Sequence, residues 1–511
     1  MKVVFATCLA AVFFVFNFTI VSAQSTKNRK PNIILIYTDD LGYGDLSCYG
    51  TSAIATPNMD ALAKSGTRFT NAHATSATCT PSRFSLLTGK YAWRKQGTGI
   101  APGDASLIIP VTTTTLPGML QKAGYNTAVI GKWHLGLGDE KGIDWNEKIK
   151  PGPAEIGFNY SFLIPATGDR VPCVFVENQQ VINLDKSDPI KVSYTGPVDS
   201  NAPTGKKNPE LLKMHPSHGH DMTIVNGISR IGYMTGGTSA LWKDEDFADV
   251  LVQKANAYIN AQKSNPFFLY FSTHDIHVPR VAHARFAGKS GMGPRGDVLL
   301  QLDWTVGEII SILRKNNLLE NTLIIFSSDN GHVVDDGYKD EAVEKLGNHK
   351  PGGIYRGGKY SAFEAGTRVP FIVSWKGKIK PGTTNNALFS QVDLYASLAK
   401  LASVKVEVGQ APDSKNYLPV LLNQTNKPRE FLVEQSINST LSLLVGNWKY
   451  IGPSKGTKIN KDTNTELGNS PEPQLYNLTD DPGETKNVAA SYPGKVKEMQ
   501  ALLVKIKSGS N

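Results

Sequence analysis

Asn32-Ile-Ile-Leu-Ile-Tyr37 is followed directly by Thr38-Asp39-Asp40. The first stretch is short, apolar and rich in isoleucine, which is typical of a parallel strand buried on both faces. The two aspartates then lie at the carboxyl end of that strand. Ligands of open parallel sheets bind beyond this edge, so Asp39 and Asp40 are the first candidates for a functional site.

The same arrangement recurs along the chain. Short apolar runs alternate with amphipathic segments, some of which follow helix-capping threonines. This alternation predicts an α/β fold with a mainly parallel sheet sandwiched by helices. Further strands are predicted over 126–130, 267–271, 322–326 and 371–375, and helices over 56–65, 115–123, 246–263 and 298–315.

The character of the chain changes near residue 425, where shorter β-rich runs are joined by turn residues such as Gly446-Asn447. We therefore predict a catalytic domain over 24–425 and a smaller C-terminal α+β subdomain over 426–511. Its strands are predicted over 431–434, 441–445, 448–451 and 472–477, and its closing helix over 492–506.

Residues 1–23 have the features of a secretory signal peptide. Lys2 precedes a nearly uncharged apolar run, and Val21-Ser-Ala23 supplies the small residues of a cleavage site. The alternative is a membrane anchor, but the run is near the lower limit for spanning and no basic stop-transfer cluster follows it at once. We therefore expect an exported protein with no stable membrane anchor, periplasmic or extracellular in a bacterium and lysosomal or secreted in a eukaryote.

Other polar residues also follow predicted strands. Asp329-Asn330 ends the strand over 322–326, so three carboxylates and an amide are expected at one edge of the sheet. These carboxylates would repel one another without a cation, and hard oxygen ligands suit Ca²⁺ or Mg²⁺ rather than zinc. Lys132 and His134 alternate on a segment predicted to be extended, so their side chains should point the same way. Burying them is costly without an anion; a solvated pair at a strand end is the alternative.

Cys79-Thr-Pro-Ser-Arg83, followed by Leu87-Thr-Gly-Lys90, resembles the C-x-P-S-R signature of the type I, formylglycine-dependent sulfatases. Gly131-Lys-Trp-His-Leu-Gly136 resembles the second signature of that family, and the D-D, D-N, H-x-P and G-K motifs follow its order. The chain is similar to the arylsulfatase A and N-acetylgalactosamine-6-sulfatase-like members over nearly its whole length after residue 23. This resemblance implies an alkaline-phosphatase-like α/β domain.

The resemblance also implies the chemistry. Cys79 is expected to be oxidised to formylglycine by a formylglycine-generating enzyme, and its hydrate attacks sulfur to form a covalent sulfate intermediate that collapses to the aldehyde. One Ca²⁺ per chain is expected, in preference to Mg²⁺. The implied metal ligands are Asp39, Asp40, Asp329 and Asn330, and the implied catalytic residues are Cys79, Arg83, Lys132, His134, His277 and Lys359, of which Lys132, His277 and Lys359 also bind substrate.

The function implied is hydrolysis of sulfate esters of a sulfated glycan, with 6-O-sulfate on galactose or N-acetylgalactosamine favoured. A formal net charge of +9 fits a polyanionic partner, although a charge of this size on 511 residues can also carry no functional meaning. Nucleic acid is not expected, because no basic run is interleaved with aromatics. Two alternatives stay open: a phosphodiesterase or phosphonate hydrolase of the same superfamily, and a non-catalytic glycan-binding relative.

Some residues have less specific interpretations. Cys48 and Cys173 could pair, but two separate buried thiols are the favoured interpretation of so few cysteines. The segment from His215 to Asp221 is interpreted as a surface loop, with contact to a metal or sugar as the alternative. Thr167 aligns with a serine that lies near the sulfate in some arylsulfatases, and His274 is predicted to be structural.

Overall fold

The computed structural model describes residues 29–50 and 53–509. The predicted signal peptide over 1–23 therefore lies outside the described residues. From Pro31 onward the described residues form one compact unit. No helix in the described ranges has the length and apolar character needed to cross a bilayer.

The strands in chain order are β1 (Asn32–Thr38), β2 (Thr67–Phe69), β3 (Ala72–His73), β4 (Asn126–Lys132), β5 (Tyr160–Ile164), β6 (Val176–Glu177), β7 (Gln180–Val181), β8 (Lys191–Ser193), β9 (Ile224–Val225), β10 (Ile228–Ser229) and β11 (Tyr233–Thr235). They continue with β12 (Phe267–Ser272), β13 (Thr322–Ser328), β14 (Phe371–Ser374), β15 (Thr383–Asn385), β16 (Phe389–Ser390), β17 (Leu432–Gln435), β18 (Leu441–Val445), β19 (Trp448–Ile451), β20 (Ile459–Asn460), β21 (Thr465–Glu466) and β22 (Gln474–Asn477).

The α-helices are α1 (Pro57–Ser65), α2 (Cys79–Thr88), α3 (Leu116–Lys122), α4 (Phe247–Ala261), α5 (Gly293–Lys315), α6 (Glu364–Thr367), α7 (Leu394–Leu401), α8 (Leu418–Leu421) and α9 (Pro493–Ser508). Helix α3 follows its cap as predicted, because Thr115 Oγ1 accepts a hydrogen bond from the Gly118 amide at 3.1 Å. Helix α5 begins five residues before the predicted position. The prediction relied on apolar periodicity, which misses the polar first turn that Pro294 opens.

A ten-stranded sheet forms the centre, in the order β15-β2-β14-β13-β1-β12-β4-β5-β6-β7. Strand β1 pairs in parallel with β13 and β12, and β12 pairs in parallel with β4. The predicted mainly parallel α/β fold is therefore confirmed for the central strands. Strand β14 pairs antiparallel with β13, so the sheet is mixed towards that edge. The larger helices pack in two groups. In one group α5 contacts α1 and α4, and in the other α2, α3 and α7 contact one another.

Strand register brings the polar strand ends together. Thr38 pairs with Ser328, so Asp39 and Asp329 leave neighbouring strands at the same level. Ser272 pairs with Gly131, so Lys132 lies beside the start of the segment that leads from β12 to His277. Strand β1 is buried along its full length, and its isoleucines each contribute about 1.5–3 kcal/mol of burial free energy. The buried apolar strands thus fix the height at which the polar residues emerge.

Beyond residue 425, β17, β18, β19 and β22 form a separate antiparallel sheet against which α9 packs. Strands β18 and β19 have the predicted bounds, and the predicted turn at Gly446 has a positive φ of 57°. This agrees with an α+β character for the C-terminal region. The domain boundary at residue 425 stays a prediction.

A buried ionic cluster ties the C-terminal sheet to the segment that carries Lys359. Lys449 Nζ on β19 lies 2.9 Å from Glu364 Oε1, 3.3 Å from Glu434 Oε2 and 3.8 Å from Glu484 Oε1. Glu484 Oε2 also accepts a hydrogen bond from the Glu364 amide at 2.6 Å. Three carboxylates share one lysine here. Burial, reinforced by Glu364 and opposed by Lys449, raises the pKa of Glu484 to about 8.

This cluster predicts a pH-dependent stability. Between the ordinary carboxyl pKa of 4.5 and about 8, the unfolded Glu484 loses a proton that the folded one keeps, so stability falls as the pH rises. Glu484→Gln keeps the acceptor for the Glu364 amide and cannot ionise. We expect the fall in Tm between pH 5 and 8.5 to be smaller in this variant by about 2–5 °C. Glu498→Gln, at an exposed site on α9, is the matched control; equal pH dependence in both variants would contradict the prediction.

Candidate active site

The predicted metal ligands meet at the carboxyl edge of the sheet. Asp39 and Asp40 follow β1, Asp329 and Asn330 follow β13, and all four side chains are buried. One ligand atom each from Asp39, Asp40, Asp329 and Cys79 lies within 4.8 Å of the others. Three carboxylates this close to one another make a site suited to a cation.

Asn330 completes this donor set. Its Nδ2 donates to Asp40 Oδ1 at 2.8 Å, whereas its Oδ1 is buried and has no hydrogen-bond partner among the described residues. An unpaired buried carbonyl oxygen costs about 1–3 kcal/mol unless something binds it. Together with the carboxylate oxygens, Asn330 Oδ1 therefore fits a hard divalent cation such as Ca²⁺ or Mg²⁺.

Helix α2 places Cys79 and Arg83 on the same side, as predicted from their spacing. Cys79 is the first residue of the helix, and its Sγ lies 3.7 Å from Asp39 Oδ1. One turn later, the buried Arg83 donates from Nη2 and Nε to Asp329 Oδ2 at 2.7 and 3.0 Å. Burial raises the pKa of the Cys79 thiol despite the nearby Lys132. The unmodified thiol is thus held protonated, the form that is a poor nucleophile.

Two buried lysines flank the carboxylates. Lys132 Nζ lies 2.5 Å from Asp39 Oδ2, and Lys359 Nζ lies 2.8 Å from Asp40 Oδ2 and 2.7 Å from Asp336 Oδ2. Burial alone would lower the pKa of both lysines, but the carboxylates outweigh it and raise the pKa above its ordinary value. Both side chains are therefore held as cations.

The two candidate histidines are held in opposite tautomers. His134 Nε2 lies 2.9 Å from the Ala101 carbonyl oxygen, whereas His277 Nδ1 lies 2.7 Å from the Val278 carbonyl oxygen. Because a carbonyl only accepts, these ring nitrogens carry the hydrogens. His134 Nδ1 is buried and has no hydrogen-bond partner in the part of the chain that the structure describes, and His277 Nε2 lies 3.7 Å from Asp40 Oδ2. Burial, then the neighbouring lysines, lower the pKa of both rings.

The prediction that Lys132 and His134 alternate on an extended segment was wrong. Lys132 ends β4, but His134 has a φ of 55°, in the left-handed region, so the alternation of an extended strand does not apply. His134 nevertheless reaches the site, while Lys132 turns to Asp39. His274 is also buried there and its Nε2 has no partner, with a pKa lowered to about 3 by burial and by Lys132.

A cavity of about 180 Å³ opens above these residues. Four of the six catalytic candidates line it: Cys79, His134, His277 and Lys359. The other two, Arg83 and Lys132, contact the carboxylates. The cavity is below the roughly 300–1,000 Å³ of sites for drug-sized ligands, so it suits a small group such as one sugar unit.

The cavity is also lined by residues that the sequence did not assign to the site. Asp169 Oδ2 lies 2.9 Å from Arg170 Nη1 and 3.1 Å from His220 Nε2, and all three residues line the cavity. His218 lines it too, so these two histidines favour the alternative that the segment over 215–221 contacts a ligand; the histidine clustering was the available signal. The segment is otherwise near the surface, with His215 exposed and His218 half-buried. Thr167 accepts a hydrogen bond from Arg170 at 2.9 Å and does not line the cavity.

The C-terminal region also contributes to the wall. Ile437 and the hairpin between β20 and β21, with Asn460, Asp462 and Thr463, line the same cavity. The site therefore extends beyond residue 425. The three described cysteines are all unpaired; Cys173 is buried as predicted, whereas Cys48 is only half-buried.

Comparisons with known proteins agree on one family. A family model described as Sulfatase matches residues 31–404. An N-acetylgalactosamine-6-O-sulfatase of Bacteroides thetaiotaomicron is 57% identical over 481 residues, covering 94% of each chain. Human arylsulfatase A is 32% identical, covering 93% of this chain and 86% of its own.

Solved structures agree with these sequence matches. A structure from work on the metabolism of multiple glycosaminoglycans by B. thetaiotaomicron has a TM-score of 0.93 and is 56% identical, covering 94% of this chain and 100% of its own. A sulfatase from Pseudoalteromonas sp. has a TM-score of 0.69 and is 25% identical, covering 94% and 90%.

Proposed function

Because the chain belongs to the sulfatase family and is a sulfuric ester hydrolase, we propose that it removes 6-O-sulfate from N-acetylgalactosamine, or from galactose, in a sulfated glycan. The name of the 57% identical relative supports the 6-O position. The observation that carries the proposal is the small cavity lined by Cys79, Lys359, His134 and His277 together with further polar side chains. The predicted signal peptide supports export.

Cys79 is converted to formylglycine, which when hydrated supplies one hydroxyl to attack sulfur and a second to expel sulfate. Asp39, Asp40, Asp329 and Asn330 would hold a Ca²⁺ ion, which would supply positive charge to the sulfate group. The unpartnered Asn330 Oδ1 and the surrounding carboxylates support this assignment.

The two lysines bind the sulfate oxygens. Lys359 lines the cavity and Lys132 lies beneath it, so an entering sulfate meets fixed cations. Charge that develops on the sulfate during transfer is then stabilised without reorganisation, usually the largest catalytic contribution. Arg83 holds Asp329 and keeps the carboxylates in place.

The histidines move protons in opposite directions. The Val278 carbonyl fixes His277 by its Nδ1, so Nε2 has to gain a second proton before it can act as an acid. The negative charge of the bound sulfate favours that protonated ring, which then gives the Nε2 proton to the leaving sugar oxygen. Ala101 fixes His134 by its Nε2, leaving the unpartnered Nδ1 to accept a proton when sulfate is expelled. General acid–base catalysis of this kind contributes about 10²–10⁴-fold each.

Sulfate release from isomeric sugars tests the proposal. Matured protein is incubated with N-acetylgalactosamine 6-sulfate, its 4-sulfate isomer and an aryl phosphate diester, and Cys79→Ala is run in parallel. We expect release from the 6-sulfate to be fastest and to be lost in the variant. Faster turnover of the 4-sulfate would overturn the assigned position, and faster turnover of the diester would favour a phosphodiesterase.

Calcium titration tests the metal assignment. Ca²⁺ at about 100 times its Kd should stabilise the chelated protein by about 2.7 kcal/mol and restore activity, and Mg²⁺ should do so less well. Asn330→Ala should shift the response to higher Ca²⁺. The matched control is Asn32→Ala at the opposite end of β1, which also has a buried, unpartnered Oδ1. The same Ca²⁺ response in both variants would contradict the assignment.

A further inference from the structure

A second cavity of about 370 Å³ adjoins the candidate active site. The two cavities share Ile100 and Ile437 in their walls, and the second one reaches Thr78, directly before Cys79. None of the catalytic or metal-ligand candidates lines it. A glycan whose sulfated sugar occupies the first cavity would have its neighbouring sugar close to the second.

The charged groups of the second cavity are all positive. Lys95 and Lys507 line it, and among the described residues no aspartate or glutamate does. Lys95 Nζ reaches only the Gln96 carbonyl oxygen, at 3.3 Å, and Lys507 is exposed at the end of α9. Neither lysine makes an ion pair within the described part of the chain. Two uncompensated ammonium groups in one concave surface favour an anionic ligand.

The lysines are carried on a rigid frame. Arg94, next to Lys95 in the chain, connects their two segments: its Nη2 donates to the Ile506 carbonyl at 3.0 Å, and its Nε donates to Asp413 at 2.9 Å. The Arg94 guanidinium also lies over the Trp93 ring, 4.3 Å from its centroid. The end of α9 is thus fastened beside Trp93 before any ligand binds, which lowers the entropic cost of binding.

The wall also contains polar groups that lack partners. Ser436 is 1% exposed and Gln435 is 8% exposed, and both line the cavity. Ser436 Oγ, Gln435 Oε1 and Trp93 Nε1 are buried without a hydrogen-bond partner among the described residues. Such groups are rare in folded proteins and indicate a place where water or a ligand completes the hydrogen bonding.

We propose that this second cavity binds the negatively charged sugar that adjoins the sulfated sugar of the substrate, through Lys95 and Lys507. The proposal rests on the proposed function and deepens it. Trp93, which packs against Tyr91 and Arg94, forms part of the cavity wall, and the lysines bind the carboxylate or sulfate of the sugar. The enzyme therefore prefers an anionic oligosaccharide to a sulfated monosaccharide.

Matched substrates test this preference. They are N-acetylgalactosamine 6-sulfate alone and disaccharides in which the same sulfated sugar is linked, on either side, to a hexuronate. In the neutral disaccharides the carboxyl group of the neighbouring sugar is reduced, so that only the 6-sulfate is charged. In a further disaccharide the neighbouring sugar carries a sulfate. We expect kcat/KM for at least one anionic disaccharide to exceed that for the monosaccharide about tenfold. The hexuronate and sulfated forms show which anion the lysines bind.

Matched double variants locate the effect. Lys95→Ala/Lys507→Ala should lose about tenfold in kcat/KM on the anionic disaccharide and stay within about twofold of wild type on the monosaccharide and neutral disaccharides. Lys400→Ala/Lys497→Ala removes the same charge from exposed sites and should change none of these values. Normal monosaccharide turnover without an anionic preference, or with equal losses in both variants, would overturn the second subsite alone. Failure to hydrolyse any 6-sulfated substrate would overturn the proposed function, and this inference with it.

Discussion

Cys79→Ala is expected to abolish sulfate release, with kcat/KM falling by at least about 10⁴-fold. The side chain lies at the start of α2, and its Sγ is 3.7 Å from Asp39 Oδ1. Alanine removes the group that attacks sulfur, whereas the lysines and carboxylates around it stay. The measurement is the initial rate of sulfate release at substrate concentrations well below KM, with Tm as a check that the variant is folded.

Cys79→Ser separates attack from release. Serine offers one hydroxyl that can take sulfate, but it has no second hydroxyl with which to re-form a carbonyl and expel it. We therefore expect at most one sulfate bound per chain, visible as an intact-mass increase after incubation with substrate, and no sustained turnover. Sustained turnover by the serine variant at the rate of the matured protein would contradict the two-hydroxyl mechanism.

His277→Gln is expected to lower kcat about 10²–10⁴-fold on the sugar sulfate and much less on an aryl sulfate. A sugar alkoxide is a poor leaving group and needs the proton that we assign to His277 Nε2. A phenolate with a low pKa leaves without it. The measurement is the ratio of the two kcat values in wild type and variant.

His274→Gln is the matched control for this selectivity. His274 is buried beside His277, with ring centroids 5.8 Å apart, but it does not line the cavity. Any loss it causes should be similar on both substrates. If His277→Gln slowed both substrates equally, His277 would not protonate the leaving oxygen.

The core of the site could be predicted because it lies on the most regular part of the fold. Buried parallel strands leave a clear apolar signal, and parallel register places their carboxyl ends side by side. Asp39, Asp329 and Lys132 therefore converge as the sequence indicated. The C-x-P-S-R spacing likewise predicted that Cys79 and Arg83 lie on one side of a helix, because a helix places residues four apart on the same side.

The part of the cavity wall that contains Asp169, His220 and Asp462 could not be predicted, because loops distant in sequence form it. Asp169 meets His220 across 51 residues, and the hairpin carrying Asp462 arrives from the C-terminal region. Nothing in local periodicity fixes such contacts. The left-handed backbone of His134 was missed for a related reason: a non-glycine residue adopts it only when surrounding structure imposes it.

The mass of the tryptic peptide over residues 69–83, from protein matured in a host with a formylglycine-generating enzyme, tests the central claim most directly. We expect the sulfur of residue 79 to be replaced by an aldehyde oxygen, and the specific activity to rise in proportion to the converted fraction across preparations. Fully active protein whose peptide retains an unmodified cysteine would contradict it.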